Sequence, residues 1–170
     1  MTLRVTIGVD PGQTGALAVL VDGVPTELID MPSMPRRAGG LQVDAASLAA
    51  SVRGVRMAHP GAAFLAVIEQ VGAMPKCGGT GMFRFGQADG IARGVLGALG
   101  IGYIEVPPQV WKRHLRLTGC DKDAARTLVI QRFPELALRL ARKKDVGRAD
   151  ALLIALWAEL TEAVGAEKAS

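Results

Sequence analysis

The 170-residue chain contains only two cysteines and two histidines. Cys77 and Cys120 lie in glycine-flanked segments without CxxC or Cys/His spacing, which speaks against a disulfide framework and against a zinc site. Long hydrophobic runs are missing too. None approaches the ~18 apolar residues of a spanning helix, and Asp10 arrives before a signal-peptide core develops. No internal repeat or second domain is legible. These absences lead us to expect free thiols, no membrane partner and a cytoplasmic protein, with a single domain over residues 1–160 and a C-terminal tail over 161–170.

What the chain does have is 49% hydrophobic and 21% charged residues, a composition able to fill a core. Its 20 basic against 16 acidic residues give a net charge of +4. The Lys/Arg residues cluster between Lys112 and Arg148, which suits a polyanionic partner.

Three carboxylates stand out against apolar surroundings. Asp10 closes the strand-like run Leu3 to Val9 and precedes Pro11-Gly12-Gln13-Thr14-Gly15. Glu69 ends a second such run, Ala62 to Ile68, and Asp150 lies within the apolar helical stretch Ala149 to Ala158. Strand ends are poor places for a carboxylate unless chemistry needs it there. Converging carboxylates raise one another's pKa unless a cation neutralises them, and an all-oxygen donor set favours Mg²⁺, with Mn²⁺ able to substitute. Each acid also has a plainer explanation: a turn cap for Asp10, a solvated strand end for Glu69, and a helix N-terminal acid favoured by the macrodipole for Asp150.

Strands are expected at Leu3–Val9, Gly15–Val21 and Pro25–Ile29, the last two joined by an Asp22-Gly23 hairpin turn, which makes an antiparallel meander. A turn-rich linker, Met31 to Gly40, leads to a helix with Leu48, Val52 and Val55 on one face and Asp44 near its start. After the strand ending at Glu69, residues Gly72 to Gly81 read as a loop. A glycine-bearing helix follows, ending at Gly100, then a strand at Ile101–Val106, a basic segment opened by Pro107-Pro108, a helix over Lys122–Arg132, and a last helix from Gly147 or Arg148. This order implies an α/β fold with a mixed central sheet.

The strings Ile7 to Leu20 (IGVDPGQTGALAVL), Val67 to Val71 (VIEQV), Phe85 to Gly90 (FGQADG), Pro107 to Lys112 (PPQVWK) and Gly147 to Trp157 (GRADALLIALW) together resemble the RuvC-like Holliday junction resolvases, particularly the compact phage or prophage type. The resemblance implies a ribonuclease H-like fold with helices on both faces of the sheet. It also implies a homodimer and a Mg²⁺- or Mn²⁺-dependent endonuclease acting on four-way or branched DNA, without a nucleotide cofactor. Asp10, Glu69 and Asp150 match three acidic metal ligands of the family, whose metals hydrolyse the phosphodiester in line. The family's fourth ligand commonly lies one helical turn before the last. Gly147 and Val146 occupy the corresponding positions here, so Asp145, five before Asp150, is the candidate only if it precedes the helix.

Lys112 resembles a family lysine able to stabilise phosphate charge and contact DNA, and Lys122 is a second candidate. Lys76, Phe83, Arg84 and Arg148 are further DNA-binding candidates, with Phe83 a possible wedge at unpaired bases; Phe85 is assigned to the core. Two functional alternatives are a non-catalytic branched-DNA scaffold and an RNA-processing nuclease of the same superfamily. A sugar-kinase or actin-like ATPase also carries an early Asp-Gly turn, but encloses its nucleotide between two such domains, and only one is legible.

Overall fold

The computed structural model describes residues 2–70, 72 and 78–168. Its centre is a five-stranded sheet in the order β3-β2-β1-β6-β7, formed by β1 (Arg4–Asp10), β2 (Ala16–Val21), β3 (Val24–Asp30), β6 (Ala63–Glu69) and β7 (Tyr103–Val106). The first three strands pair antiparallel, whereas β6 joins β1 in parallel and β7 joins β6 in parallel. The predicted meander is thus present, with a turn at Asp22 (φ 47°) and Gly23 (φ 79°), both in the left-handed region that a tight hairpin requires. The architecture is the expected α/β, ribonuclease H-like one.

Each sheet face carries its own core. Val5, Ile7 and Val9 of β1 point to one side, where α1 (Ala45–Ala58) and α2 (Gly79–Ala98) bury Leu48, Val52, Val55, Ala92 and Leu96 against them. On the other side Val67, Val106 and Trp111 meet α5 (Val146–Lys168), with α4 (Ala124–Arg132) packed outside it. Asp44 caps α1 by accepting the Ala46 and Ser47 N–H groups at 3.0 and 3.2 Å.

Glycine sets how closely α5 lies on the sheet. A Cβ at Gly8 would stand 2.0 Å from the Ala151 carbonyl oxygen, and one at Gly147 only 2.6 Å from the Thr14 carbonyl oxygen. Two contacts, one at mid-strand and one at the turn after Asp10, therefore fix the first turns of α5. Further along, Glu159 is bonded by Arg4 and by the Thr6 hydroxyl.

Several segments depart from the sequence reading. The linker after β3 contains a small antiparallel pair, β4 (Ser33–Pro35) and β5 (Leu41–Val43), and the expected loop up to Gly81 gives way to helix at Gly79. The basic segment after Pro107 forms α3 (Pro108–His114), and 3₁₀ turns fill Pro134–Leu140 and Lys143–Asp145. Helix α5 continues through residues 161–168, where a tail is expected. Among the described residues, no helix is long and apolar enough to cross a membrane.

Candidate active site

Asp10 and Glu69 are brought together by strand register. Val9 pairs with Ile68 in the parallel β1–β6 ladder, so the next residues, Asp10 and Glu69, end adjacent strands side by side. Alternation along each strand turns both away from the α1–α2 core and toward α5. Asp150 enters from α5, one residue before the Ala151 carbonyl that rests on Gly8.

Asp10 is fixed by its own turn. Its Oδ1 accepts the Gly12 N–H at 3.2 Å, and the Gly15 N–H closes the loop on the Gly12 carbonyl at 2.9 Å. Gly15 folds back so tightly that a Cβ there would meet the Asp10 carbonyl oxygen at 2.2 Å. Glu69 is oriented by Trp111, whose Nε1–H donates to Oε1 at 3.0 Å from a fully buried ring. Lys112 follows directly on α3, its Nζ 5.0 Å from the Trp111 ring centroid.

Burial pushes Asp10 up to about 6, with Glu69 raising it further and the Gly12 N–H and Lys112 opposing. Burial likewise pushes Asp150 up to about 7, with Lys112 opposing and with Asp10 and Glu69 adding repulsion. Asp10 and Asp150 therefore both feel Glu69 and Lys112, and Asp150 feels Asp10 as well. The cluster is an electrostatic debt that a cation would cancel, and its donors suit a hard divalent ion: three carboxylate groups with no thiol or imidazole among them. Among the described residues, however, no three acidic, histidine or cysteine side chains are already drawn together closely enough to hold a metal ion.

Asp145 lies elsewhere. It is only 3% exposed, ahead of α5, and pairs with Arg142 (2.7 Å to Nη2), while its Oδ2 accepts the Arg142 backbone N–H at 2.9 Å. The Arg142 guanidinium holds its pKa below the ordinary carboxylate range. It is thus a capping residue of the turn before α5, neutralised by Arg142 and with Arg148 3.9 Å away. Arg148 is engaged as well. It grips Asp30, the last residue of β3, at 2.5 and 2.7 Å and donates to the Arg139 carbonyl at 2.8 Å, which makes it a tie between β3 and α5 rather than an available phosphate contact.

Lys122 is exposed and, with Asp121, lines a cleft of about 570 Å³ that also reaches Lys112 and Asp150. Phe83, 66% exposed, and Arg84, also exposed, project from the first turns of α2. Phe85 is half-buried rather than core; its ring approaches the Gly12 turn, 3.7 Å from where a Cβ would stand. Lys76 and Cys77 lie outside the described residues. The sequence reading passed over the indole of Trp111 as a hydrogen-bond donor to Glu69. Its position beside Lys112 in PPQVWK was the available signal.

No family model matches the chain. A 122-residue stretch, 71% of the chain, is 35% identical to a protein of Chlamydomonas reinhardtii named Holliday junction resolvase MOC1, chloroplastic; the match spans 14% of that protein's length. Among solved structures, Thermus thermophilus RuvC superposes with a TM-score of 0.53 and 18% identity over 95% of this chain and 97% of that one. The same organism's RuvC in complex with a Holliday junction substrate gives 0.51 and 16%, over 94% and 96%. The chain therefore has the fold of RuvC.

Proposed function

We propose that this chain is a metal-dependent, structure-selective endodeoxyribonuclease that resolves four-way or other branched DNA, working as a homodimer in the cytoplasm. What supports the proposal is that Asp10 and Glu69 end adjacent strands while Asp150, at the start of α5, senses both of their charges and that of Lys112, on the fold of RuvC. The sequence similarity to a resolvase, confined to part of that protein, points the same way. A phage or prophage origin draws no support from these relatives and forms no part of the proposal.

Asp10, Glu69 and Asp150 would hold the metal, Mg²⁺ or Mn²⁺. When bound, the ion supplies activation of the attacking water and stabilisation of the leaving oxygen. The chain's own part is positional and electrostatic. Gly12 and Gly15 fix Asp10, the Trp111 N–H keeps one Glu69 oxygen aimed, and the close seat of α5 on Gly8 brings Asp150 to them. Lys112 offers a positive charge to the phosphate that these residues face, and Lys122 offers another at the cleft mouth.

A second copy would give the paired cuts that a junction needs. Gly86, Gly90, Gly94 and Gly97 recur at near-helical spacing on α2, and among the described residues a Cβ at any of them would meet nothing within 4 Å. Packing among the described residues thus gives no reason for these helix-weakening residues, whereas close approach of another backbone does.

Cleavage of a synthetic four-way junction, beside linear duplex and RNA controls, with Mg²⁺, Mn²⁺ or EDTA, tests the reading. Paired symmetric nicks that require metal and vanish in Asp10→Asn support it. Junction binding without cleavage favours a scaffold, and RNA cleavage instead moves the protein to the RNA-processing branch.

A further inference from the structure

From Met31 to Val43 the chain carries two arginines and no acid, and the β4–β5 hairpin within this segment presents them together. Its base is tied down. Met31 and Val43 are buried in the α1–α2 core, and the Asp44 N–H donates to the Pro32 carbonyl at 2.9 Å. At the tip the Gly39 N–H donates to the Arg36 carbonyl at 3.1 Å, and the Arg36 N–H to the Gly40 carbonyl at 3.0 Å. A two-stranded ribbon this short adds little stability by itself, so what it presents matters more.

Arg36 is turned back onto α2, where its Nη2 donates to the Gln87 Oε1 at 3.0 Å. With Arg84 and Gln13 these two line a hollow of about 10 Å³, room for one oxygen atom. Its chemistry is one-sided. Arg36 and Arg84 bring guanidinium N–H groups, the Gln13 Nε2 is buried with no partner among the described residues, and the Gln87 oxygen is already engaged. Among the described residues no acid lines the hollow. Asp89, next along α2, is held by Arg93 at 2.8 Å, and Asp44 caps α1.

Donors gathered around room for one oxygen, with no carboxylate to balance them, suit an anionic oxygen. Position says which anion. Gln13 follows Asp10 in the same turn, and the hollow opens on the α2 side of the sheet, whereas Lys112 stands on the α5 side. Resting on the resolvase reading, we infer that the β4–β5 hairpin and the first turns of α2 clamp one non-scissile phosphate of the branched DNA, one oxygen seated between Arg36, Arg84 and the Gln13 amide. Arg37, exposed at the tip, adds its charge toward the same backbone. Because the clamp shares a turn with Asp10, the phosphate seated in it sets which phosphodiester along the strand reaches the carboxylates. Arg36 and Gln13 are therefore positioning residues.

The test uses four-way junctions carrying one uncharged methylphosphonate at each phosphate near the cut in turn, bound to Asp10→Asn protein with Arg36 intact or replaced by Ala. At one phosphate other than the scissile one, neutralisation should weaken binding about fivefold with Arg36 present and under about twofold with Arg36→Ala. Arg36→Ala should also lower the salt slope of binding by about one unit, and Arg36→Lys should restore it. Gln87→Ala breaks the same internal hydrogen bond but keeps the cation, so its slope should match that of the Asp10→Asn parent; an equal loss makes Arg36 a brace of the hairpin and overturns the inference. Independence of every methylphosphonate from Arg36 overturns it too. So does a loss of self-association by Arg36→Ala in step with binding, which assigns the hairpin to a second copy. With Asp10 restored and metal present, Arg36→Ala should spread the cuts over neighbouring phosphodiesters, and a single unshifted cut overturns the positioning role. Wild type that neither binds nor cuts branched DNA overturns the resolvase reading and this inference with it.

Discussion

Replacing Asp150 by asparagine should make the metal-free protein more stable. Burial, with repulsion from Asp10 and Glu69, places this carboxyl at about 7 in the fold, against an ordinary value near 3.8. A folded-state pKa above the unfolded one means that the native state binds more protons between the two values, so stability is greatest at the acid end and falls as pH rises through the window from about 4 to about 7. About three units at 1.36 kcal/mol each set an upper bound near 4 kcal/mol above that window. The carboxylates are coupled and the side chain is partly solvated, so about 2 kcal/mol is the working figure. Asp150→Asn removes the term and relieves Asp10 as well. Thermal unfolding in EDTA at about pH 8 should show a rise of roughly 4–8 °C over wild type, shrinking toward zero near pH 4. Mg²⁺ or Mn²⁺ should raise the midpoint of wild type and leave that of the variant unchanged. A variant less stable than wild type at pH 8, with a gap independent of pH, would refute the reasoning and make the Asp150 carboxylate a structural acceptor.

The Gly8→Ala substitution forces a methyl group against the Ala151 carbonyl, and since backbone must move, a loss of about 3 kcal/mol in denaturant melts is expected together with lost cleavage. Trp111→Phe keeps most of the ring and deletes the N–H to Glu69; cleavage should fall by about tenfold with an unchanged circular dichroism spectrum, and undiminished cleavage would show that the indole is mere packing. Arg148→Ala should lower the melting point, as should Asp30→Ala, without additivity between them. It should leave the salt slope of junction binding unaltered, whereas Lys122→Ala should flatten that slope by about one unit. Gly90→Ala and Gly94→Ala should each stabilise an isolated monomer by about 0.5–1 kcal/mol yet weaken self-association in sedimentation runs, and dimers of undiminished strength would dismiss α2 as the contact.

How legible the chain is depends on whether a feature is set by local pattern or by distant packing. The strands around Asp10 and Glu69 read clearly, because β1 and β6 are covered on both faces and therefore appear as continuous apolar runs ended by a charge. Asp22-Gly23 and Asp44 read clearly as well, since a turn and a cap are decided by neighbours in sequence. The start of α2 was missed for a local reason: Gly79, Gly81 and Gly86 carry weak helix propensity, and helix forms there all the same. Strands β4 and β5, three residues each, are too short to display a period of two.

Asp10, Glu69 and Asp150 stand out in the sequence as candidates whereas the pairing of Asp145 with Arg142 does not, and the difference has a physical origin. Asp10, Glu69 and Asp150 each interrupt an apolar run, so sequence alone marks them as charges kept at a cost. Asp145 follows Arg142, Lys143 and Lys144, where any acid is unremarkable, and its partner is decided by the 3₁₀ turn that sets Arg142 against it. Arg148 was misread for the same reason, as a member of a basic run, because its partner Asp30 lies 118 residues away. The basic residues around the start of α5 are thereby divided into two kinds. Arg142 and Arg148 are neutralised by Asp145 and Asp30 and brace the entry to α5. Lys112 and Lys122 line the cleft beside Asp150, with no salt bridge found for either among the described residues. Four residues at the start of α5 separate Asp145 from Asp150, and Gly147 among them is spent on close contact with Thr14, so the first turn of the helix carries its seat on the sheet.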